Sequence, residues 1–295
     1  MPSEKEFFTF IYQRQLIWYK RFVLKQKAPW TTDTVLSTFK IINMYRELDR
    51  CTLYILEKFK TIQNRENLLL NIIFYRFFNL DGIYEDLEIE PFSNLDSSLK
   101  KRLSLKLRSL KKKRPIFNNA YLIAPASKGI KHDQVLESIS SVDIPFLVSQ
   151  LDTAQSPEES FLFLTNIALV GPFLACEIWT DLTYFHFFTQ GWTDDDFVHI
   201  GPGAKWGLEL MYGKLSRKDL DKKLHSLYKK QETFLSSIHL TLGETYSWKY
   251  IAYTNAYSHY PFLSLTNIEG ALCEFRKYIR LSHGKGRRRY FTARS

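Results

Sequence analysis

The sequence has only three cysteines in 295 residues, Cys51, Cys176 and Cys273, and none stands in a CxxC or Cys–His spacing. That excludes a disulfide framework and a zinc ribbon, and leaves all three reading as small buried hydrophobes. Seven histidines show neither HxxxH nor HExxH, so a metal hydrolase has no support and no metal is expected. GxSxG is absent, which removes a serine-hydrolase elbow. No apolar run reaches the roughly 18 residues of a membrane span. The opening MPSEKEFFTFIYQRQ carries charges where a signal peptide has its apolar core, so an intracellular protein without a membrane partner is expected. Glycine is sparse, yet three of the twelve fall in HIGPGAKWGLEL, at Gly201, Gly203 and Gly207. This stretch fails both GxxxxGK[ST] and GxGxxG, and no other segment supplies a phosphate loop. An autonomous P-loop kinase is therefore excluded, and no cofactor is expected.

Positive charge is abundant and clustered. The net charge is +10. Residues 100–114, KKRLSLKLRSLKKKR, hold nine Lys/Arg and no acid, and residues 276–294 hold eight more. One reading is a solvated helix face and a disordered basic end. The favoured reading is a polyanion footprint, because each neutralised phosphate releases a counterion. Neither run has the strongly amphipathic Trp/Phe face of a membrane-surface helix.

Apolar residues recur mostly at spacings of three and four, so the class is all-α, with a minor two-stranded element near 115–125 as the only β candidate. Phe7, Phe8, Ile11, Leu16, Tyr19 and Phe22 mark a first helix, and Pro29 ends that region. Thr31, Thr32 and Asp33 are capable N-caps for a long helix with Leu36, Phe39, Ile42, Leu53 and Leu56 inward. NLLLNIIFYRFFNL (67–80) is apolar all round and reads as a central helix in which Arg76 is out of place. Helical pattern resumes over about 131–190, with Ser156-Pro157 as a start, and two further helices follow residue 215. The chain reads as one helical domain over 1–295. The alternative is two lobes, about 1–114 and 115–282, with a basic tail 283–295.

Three constellations carry candidate chemistry. Asn43, Arg46, Asp49 and Arg50 fall on one stripe of the long helix, as a wet-face ion pair or as a functional network. ALVGPFLACEIWTDLTYF (168–185) has the form helix, Leu-x-Gly hairpin, helix. Backbone N–H groups at Gly171 could grip a phosphate, and Asp181 follows in the second helix. The alternative is an ordinary helix connection. In the third, Gly201, Pro202 and Gly203 open a helix with Lys205 in its first turn, as an anion nest or a plain turn. Asp194, Asp195 and Asp196 upstream read as a solvated turn, with a helix cap or a metal site as the alternative.

These blocks, in order, resemble a helical family of DNA-hypermodification systems. PWTTDTVLSTFKIINMYRELDRCT is similar to its PWT-D…N-x-x-R-x-x-D-R block, and LFLTNIALVGPFLACEIWTDLTY to its central Gly-x-Phe…Asp-Leu block. GPGAKWGL resembles its Gly-Pro-Gly-(basic)-Gly-Leu block, IEGALCEFRKYIR with GKGRRRYF resembles its ending, and FNNAYLI (117–123) fits a looser Ala-Tyr element. The likeness runs from about residue 5 to 292. One branch is the helical domain of 5-hydroxymethyluracil DNA kinase. The other is the α-glutamyl/putrescinyl thymine pyrophosphorylases, or amino acid:DNA transferases. The resemblance implies a DNA-glycosylase-like helical fold with a helix-hairpin-helix and a DNA substrate bearing a modified thymine. It implies a bacterial or phage-infected cytoplasm, or a nucleus for a eukaryotic host. The missing P-loop favours the transferase branch, in which an amino acid or polyamine displaces pyrophosphate from the activated 5-methylene. A DNA-binding module working with a separate kinase is the second reading, and a base-excising glycosylase the third.

For a base flipped out of the duplex, Arg14, Arg46, Lys205 and the N–H groups after Gly203 are candidates to hold pyrophosphate. Asp49 or Asp181 is the candidate base, with Asn43 beside it. Trp30 or Trp206 could stack on a base. Lys111, Lys112, Lys113, Arg114, Arg287 and Arg288 would track phosphates. Glu274 and Lys277 either pair with each other or face the site. If the 201–205 turn holds a phosphate, Lys205→Ala weakens DNA binding or turnover without unfolding the protein. Unchanged activity and salt dependence in that variant would make the stretch a plain turn.

Overall fold

The computed structural model describes residues 1–119, 129–254 and 262–291. Its α-helices in chain order are α1 (Glu4–Trp18), α2 (Thr34–Thr38), α3 (Arg50–Phe59), α4 (Arg65–Phe78), α5 (Ile83–Asp86), α6 (Ser97–Lys111) and α7 (Lys131–Ser140). Then follow α8 (Ile144–Thr153), α9 (Pro157–Thr165), α10 (Pro172–Tyr184), α11 (Pro202–Tyr212), α12 (Arg217–Leu242), α13 (Trp248–Ile251) and α14 (Leu265–Ser282). Among the described residues the sole β feature is an isolated antiparallel bridge between Phe39 and Tyr290. The class is all-α, as expected. The suggested two-stranded element near 115–125 and the FNNAYLI segment fall largely outside the described residues.

The chain forms two compact units, Met1–Asp49 with Ile200–Ser295, and Arg50–His199. The sequence reading is one domain, with two lobes meeting near residue 114 as its alternative; these units are not consecutive halves of the chain. The first unit closes by pairing the two ends of the chain, which periodicity along a sequence cannot register.

The unit of residues 50–199 is built around α4. Every residue from Leu68 to Phe78 is buried, and α4 packs against α7, α8 and α10. Asn64 caps its start through the Asn67 N–H, and Asn79 closes it in the left-handed conformation at φ 49°. Two polar residues in this apolar helix are matched with partners. Asn71 donates to the carbonyls of Asn67 and Phe92 at 2.7 Å each, and its Oδ1 accepts from the Tyr84 hydroxyl at 2.9 Å. Arg76 forks onto Asp181 of α10. Its Nη2 donates to Oδ1 at 2.6 Å, its Nε to Oδ2, and its Nη1 to Asn79 at 2.8 Å.

In the other unit, α1 starts with a capping box between Ser3 and Glu6. It buries Phe7, Phe8, Ile11 and Leu16 against α12 and α14. Gln231 of α12 pairs in both directions with the Leu263 backbone, at 2.9 and 2.8 Å. The closest helix pairing is α11 on α14, and it explains two of the clustered glycines. A methyl group on Gly203 would strike Cys273, and one on Gly207 would strike the Leu272 carbonyl.

The expected long helix after Asp33 does not form. Asp33 caps α2 as anticipated. The backbone then leaves helical geometry at Phe39 and makes only a short 3-10 turn at Arg46–Leu48 before α3 begins. Ile42 and Leu53, expected inward on one helix, are consequently exposed, as is Phe22, which lies beyond α1 in a π-turn. Cys273 is also exposed and not buried, although its sulfur lies against Gly203 of α11.

Helix propensity favours alanine over glycine by about 1 kcal/mol, whereas forced overpacking costs about 1–3 kcal/mol. Gly207→Ala meets backbone that cannot swing aside, so it should destabilise by about 2 kcal/mol in chemical denaturation. Gly270→Ala, on α14 with open space around it, should stabilise by about 0.5–1 kcal/mol. Equal effects at the two positions would show that α11 and α14 are not in this contact.

Candidate functional site

The irregular segment 39–49 belongs to the first unit and is held there by side chains of α14. The Ile42 N–H donates to Glu274 Oε2 at 3.1 Å, and Lys277 donates to the Lys40 carbonyl at 2.6 Å and to Glu274 at 3.1 Å. Glu274 and Lys277 thus pair with each other and also clamp this segment. Further along, the Arg46 N–H donates to Asn267 Oδ1 at 2.8 Å, and Asn267 Nδ2 donates to Glu47 at 3.1 Å. Backbone that has left the helix needs such partners, since an unmet buried N–H costs about 1–3 kcal/mol.

At the centre lies Arg14 of α1. Its Nε donates to the Ile41 carbonyl at 3.0 Å and its Nη2 to Asn43 Oδ1 at 2.9 Å. Asn43 passes the connection on, because its Nδ2 donates to Asp49 Oδ1 at 3.2 Å and to the Leu48 carbonyl at 2.9 Å. Asp49 Oδ2 has no hydrogen-bond partner among the described residues. Burial pushes the Asp49 carboxyl up to about 6, against the opposing pull of the Asn43 N–H groups, Arg14 and Arg46. Burial draws the Arg14 guanidinium down to about 10, opposed by Asp49 and Glu274. At neutral pH Arg14 is still a cation, and Asp49 is an anion poised to accept a proton.

Arg14 also forms the polar wall of a cavity of about 270 Å³. The remaining wall is largely apolar and aromatic, with Ile17, Trp18, Trp30, Phe39 and Phe291. Trp30 is fixed by its indole N–H on the Gln26 carbonyl at 2.8 Å and meets Phe291 edge-on at 5.9 Å. Arg21 lies over the rings of Phe22, Trp30 and Phe291 at 4.6, 5.3 and 5.1 Å. The basic tail is docked at least as far as Phe291. Lys40 N–H donates to the Arg289 carbonyl at 2.8 Å, and Phe291 N–H to the Thr38 carbonyl at 2.9 Å. Arg287 and Arg288 remain exposed on this strap. Beside it, Arg276, Arg280, Lys285, Arg287 and Arg289 line two shallow depressions, and the Arg276 guanidinium stacks on Trp206 at 4.0 Å.

The structure therefore brings together Arg14, Asn43 and Asp49, with Arg46 close enough to act on the Asp49 charge. They meet across an irregular loop and α1, not along the helical stripe the sequence suggested. Arg50 leaves this group and pairs with Asp81 at 2.9 Å in the other unit. Asp181 also belongs to that unit and is wholly buried, with both oxygens on Arg76. As a candidate base it is thus placed apart from Asn43, Arg46 and Asp49, inside its own unit and against Arg76. Gly201, expected to open an anion nest, gives its N–H to Glu269 at 3.0 Å. The start of α11 already holds a carboxylate of the same chain, Pro202 occupies its first position, and Lys205 lies 3.9 Å from Glu209. Gly171 is exposed and starts α10 without a side-chain cap. The left-handed residue of that connection is Leu169, at φ 66°.

In the basic helix, Lys100, Lys106, Arg108 and Arg114 are paired with Glu137, Glu88, Asp133 and Asp86. Lys111, Lys112 and Lys113 are exposed. Asp196 accepts from the Thr193 N–H at 2.7 Å, and no group of metal-ligating residues occurs among the described residues. Trp18, Arg21, Asn267 and Phe291 were missed from sequence. Arg76 could have been matched to Asp181, since two opposite charges in two apolar helices have reason to meet. Asn267 carries no comparable signal.

These features define an all-α protein with an arginine–carboxylate centre beside an aromatic cavity and an arginine-rich face. A family described as the helical domain of 5-hmdU DNA kinase matches residues 2–288, so the chain belongs to that family. A 5-hmdU DNA kinase of Bacillus phage SP10 is 27% identical over 304 aligned residues, covering 92% of this chain and 44% of that protein. The chain thus spans less than half the length of this relative. No solved structure matches it, and no helix among the described residues is long and apolar enough to cross a membrane.

The raised Asp49 pKa carries a sign that can be measured. The folded protein holds this proton more tightly than the unfolded chain, where an aspartate titrates near 4. Stability is therefore lost as pH rises from about 4 through about 6. Asparagine retains the Oδ1 acceptor for Asn43 and cannot ionise. Asp49→Asn should be more stable than the parent by about 1–2 kcal/mol at pH 7.5, and the advantage should vanish at pH 4. A denaturation difference independent of pH would show that Asp49 is not held against ionisation.

Proposed function

We propose that this chain is a DNA-modifying transferase of thymine hypermodification, acting on 5-hydroxymethyluracil in DNA after its hydroxyl has been pyrophosphorylated. The amine lone pair attacks the 5-methylene carbon, the carbon–oxygen bond to pyrophosphate breaks, and pyrophosphate leaves with the bonding electrons. The nitrogen then carries a surplus proton, which Asp49 accepts. Arg14 and Arg46 supply positive charge for the leaving group, and Asn43 orients the carboxylate by donating its Nδ2–H to Asp49 Oδ1.

The observation that carries this reading is the Asp49 carboxylate. It is poised near neutral pH, tied to Asn43, acted on by two arginines, and has one oxygen without a hydrogen-bond partner among the described residues. Family membership and the name of the Bacillus phage SP10 relative support the choice of 5-hydroxymethyluracil. The exposed Lys111, Lys112 and Lys113, Arg287 and Arg288, and the uncapped α10 start at Gly171 supply contacts for DNA phosphates. An amino acid or polyamine is the co-substrate. A separate kinase working in the cytoplasm of a bacterial or phage-infected cell supplies the activated base.

The same basic residues also suit a non-catalytic module that presents DNA to a kinase, so the deciding experiment includes that outcome. The protein is incubated with DNA carrying 5-pyrophosphoryloxymethyluracil and a panel of amines, then the DNA is digested and the nucleosides are analysed by mass spectrometry. Equal yields of adduct and pyrophosphate are expected. Asp49→Asn should slow the reaction by about 10²-fold or more and remove the acid limb of the rate profile near pH 6. Intact, salt-sensitive binding without turnover would establish the module reading instead. Abasic sites would identify a glycosylase.

A further inference from the structure

Among the described residues, the cavity beside Arg14 is lined by two arginines and by no acid. Two of the five Arg14 N–H bonds are spent on Ile41 and Asn43. Its remaining nitrogen, Nη1, meets no acceptor among the described residues. The rest of the wall is dominated by rings and aliphatic groups, including Ile17, Trp18, Trp30 and Phe291. At about 270 Å³ the space lies just under the roughly 300 Å³ at which sites for larger organic ligands begin. It suits one small flat ring better than a whole nucleotide. A bare phosphate or pyrophosphate would lose its water against indole and phenyl faces, and the second arginine, Arg21, already lies over the Trp30 and Phe291 rings. A planar heterocycle gains from those same faces.

We propose that this cavity is a single-base pocket that takes an unpaired uracil-type ring, with Trp30 and Phe291 as its aromatic walls and Arg14 Nη1 donating to a ring carbonyl. This assignment rests on the transferase reading for its substrate and adds where the base sits and how it is chosen. Uracil, thymine and 5-hydroxymethyluracil present a carbonyl oxygen at ring position 4. Cytosine presents an amino group there, and a donor facing the Arg14 donor leaves both unmet. One such buried mismatch lowers affinity by roughly tenfold or more. The docked strap is part of the pocket, because the bridge at Phe39 and Tyr290 sets Phe291 in the wall. Arg14 is then shared. One edge faces the base, and the other orders Asn43 and Asp49.

The test is binding by the full chain to single-stranded oligonucleotides identical except for one central base, which is 5-hydroxymethyluracil, thymine, cytosine or an abasic residue. The first two should bind at least tenfold more tightly than the last two. Trp30→Ala should lose roughly tenfold on the 5-hydroxymethyluracil strand and nothing on the abasic strand, while Trp30→Phe should keep most of the affinity. Arg14→Lys should abolish the preference over cytosine. Equal binding of all four strands by the unaltered protein overturns the proposal and requires no variant to fold. So does full affinity in a folded Trp30→Ala. Base-selective binding without turnover would retire the transferase reading and leave the pocket. Turnover without selectivity would retire the pocket and leave the transferase.

Discussion

A guanidinium drawn out of water needs acceptors for its N–H groups, and Arg14 sets that requirement within the first unit. Its acceptors are the Ile41 carbonyl and the Asn43 side chain. A carbonyl inside an α-helix is already committed to the N–H four residues on. Ile41 can accept from Arg14 because the backbone between α2 and α3 is not helical. The irregular segment, the clamp from Glu274, Lys277 and Asn267, and the position of Asp49 fit together around that one side chain. The cost of leaving the helix is offset by α14, whose polar residues satisfy the freed backbone groups.

The other unit solves a related problem differently. Arg76 lies in a helix buried on every side and is neutralised by a two-point contact with Asp181, with Asn79 taking a further N–H. Removing one partner of such a pair leaves a charge in an apolar interior, which is why the two side chains act as one structural element. Asp49 is the contrasting carboxylate. One of its oxygens is tied to Asn43 and the other is not, and among the described residues no arginine forks onto it. Removal from water raises the affinity of Asp49 for a proton. The two acids thus differ in their partners: Asp181 is held by a guanidinium and Asp49 by an amide.

Much of the fold was legible because it depends on local signals. The central helix α4 appears in the unbroken apolar run 67–80, α9 in Ser156-Pro157, and the α2 start in Asp33. Of the expected stripe Asn43, Arg46, Asp49 and Arg50, the first and third do meet, but not along a helix. The spacing of three matched a helix, but the two meet because the chain loops back on itself over six residues. The glycines of 201–207 misled for a related reason. Nothing local distinguishes a glycine that frees an N–H for an anion from one that admits a neighbouring helix. At Gly203 and Gly207 the neighbour is α14, more than sixty residues away in the chain.

The sequence by itself determined that this protein is helical, strongly basic and without a phosphate loop, and its ordered motifs pointed to the family to which it belongs. Those properties are carried by composition, by periodicity and by short motifs, all of which exist before the chain folds. Only the tertiary structure decided that Asp181 is sealed against Arg76, that Asp49 is joined to Arg14 through Asn43, and that the tail supplies Phe291 to a cavity wall. Each of these depends on contacts between residues roughly 30 to 280 positions apart. Whether a carboxylate is an anchor or a proton acceptor is set by what surrounds it, and a linear sequence does not specify those surroundings.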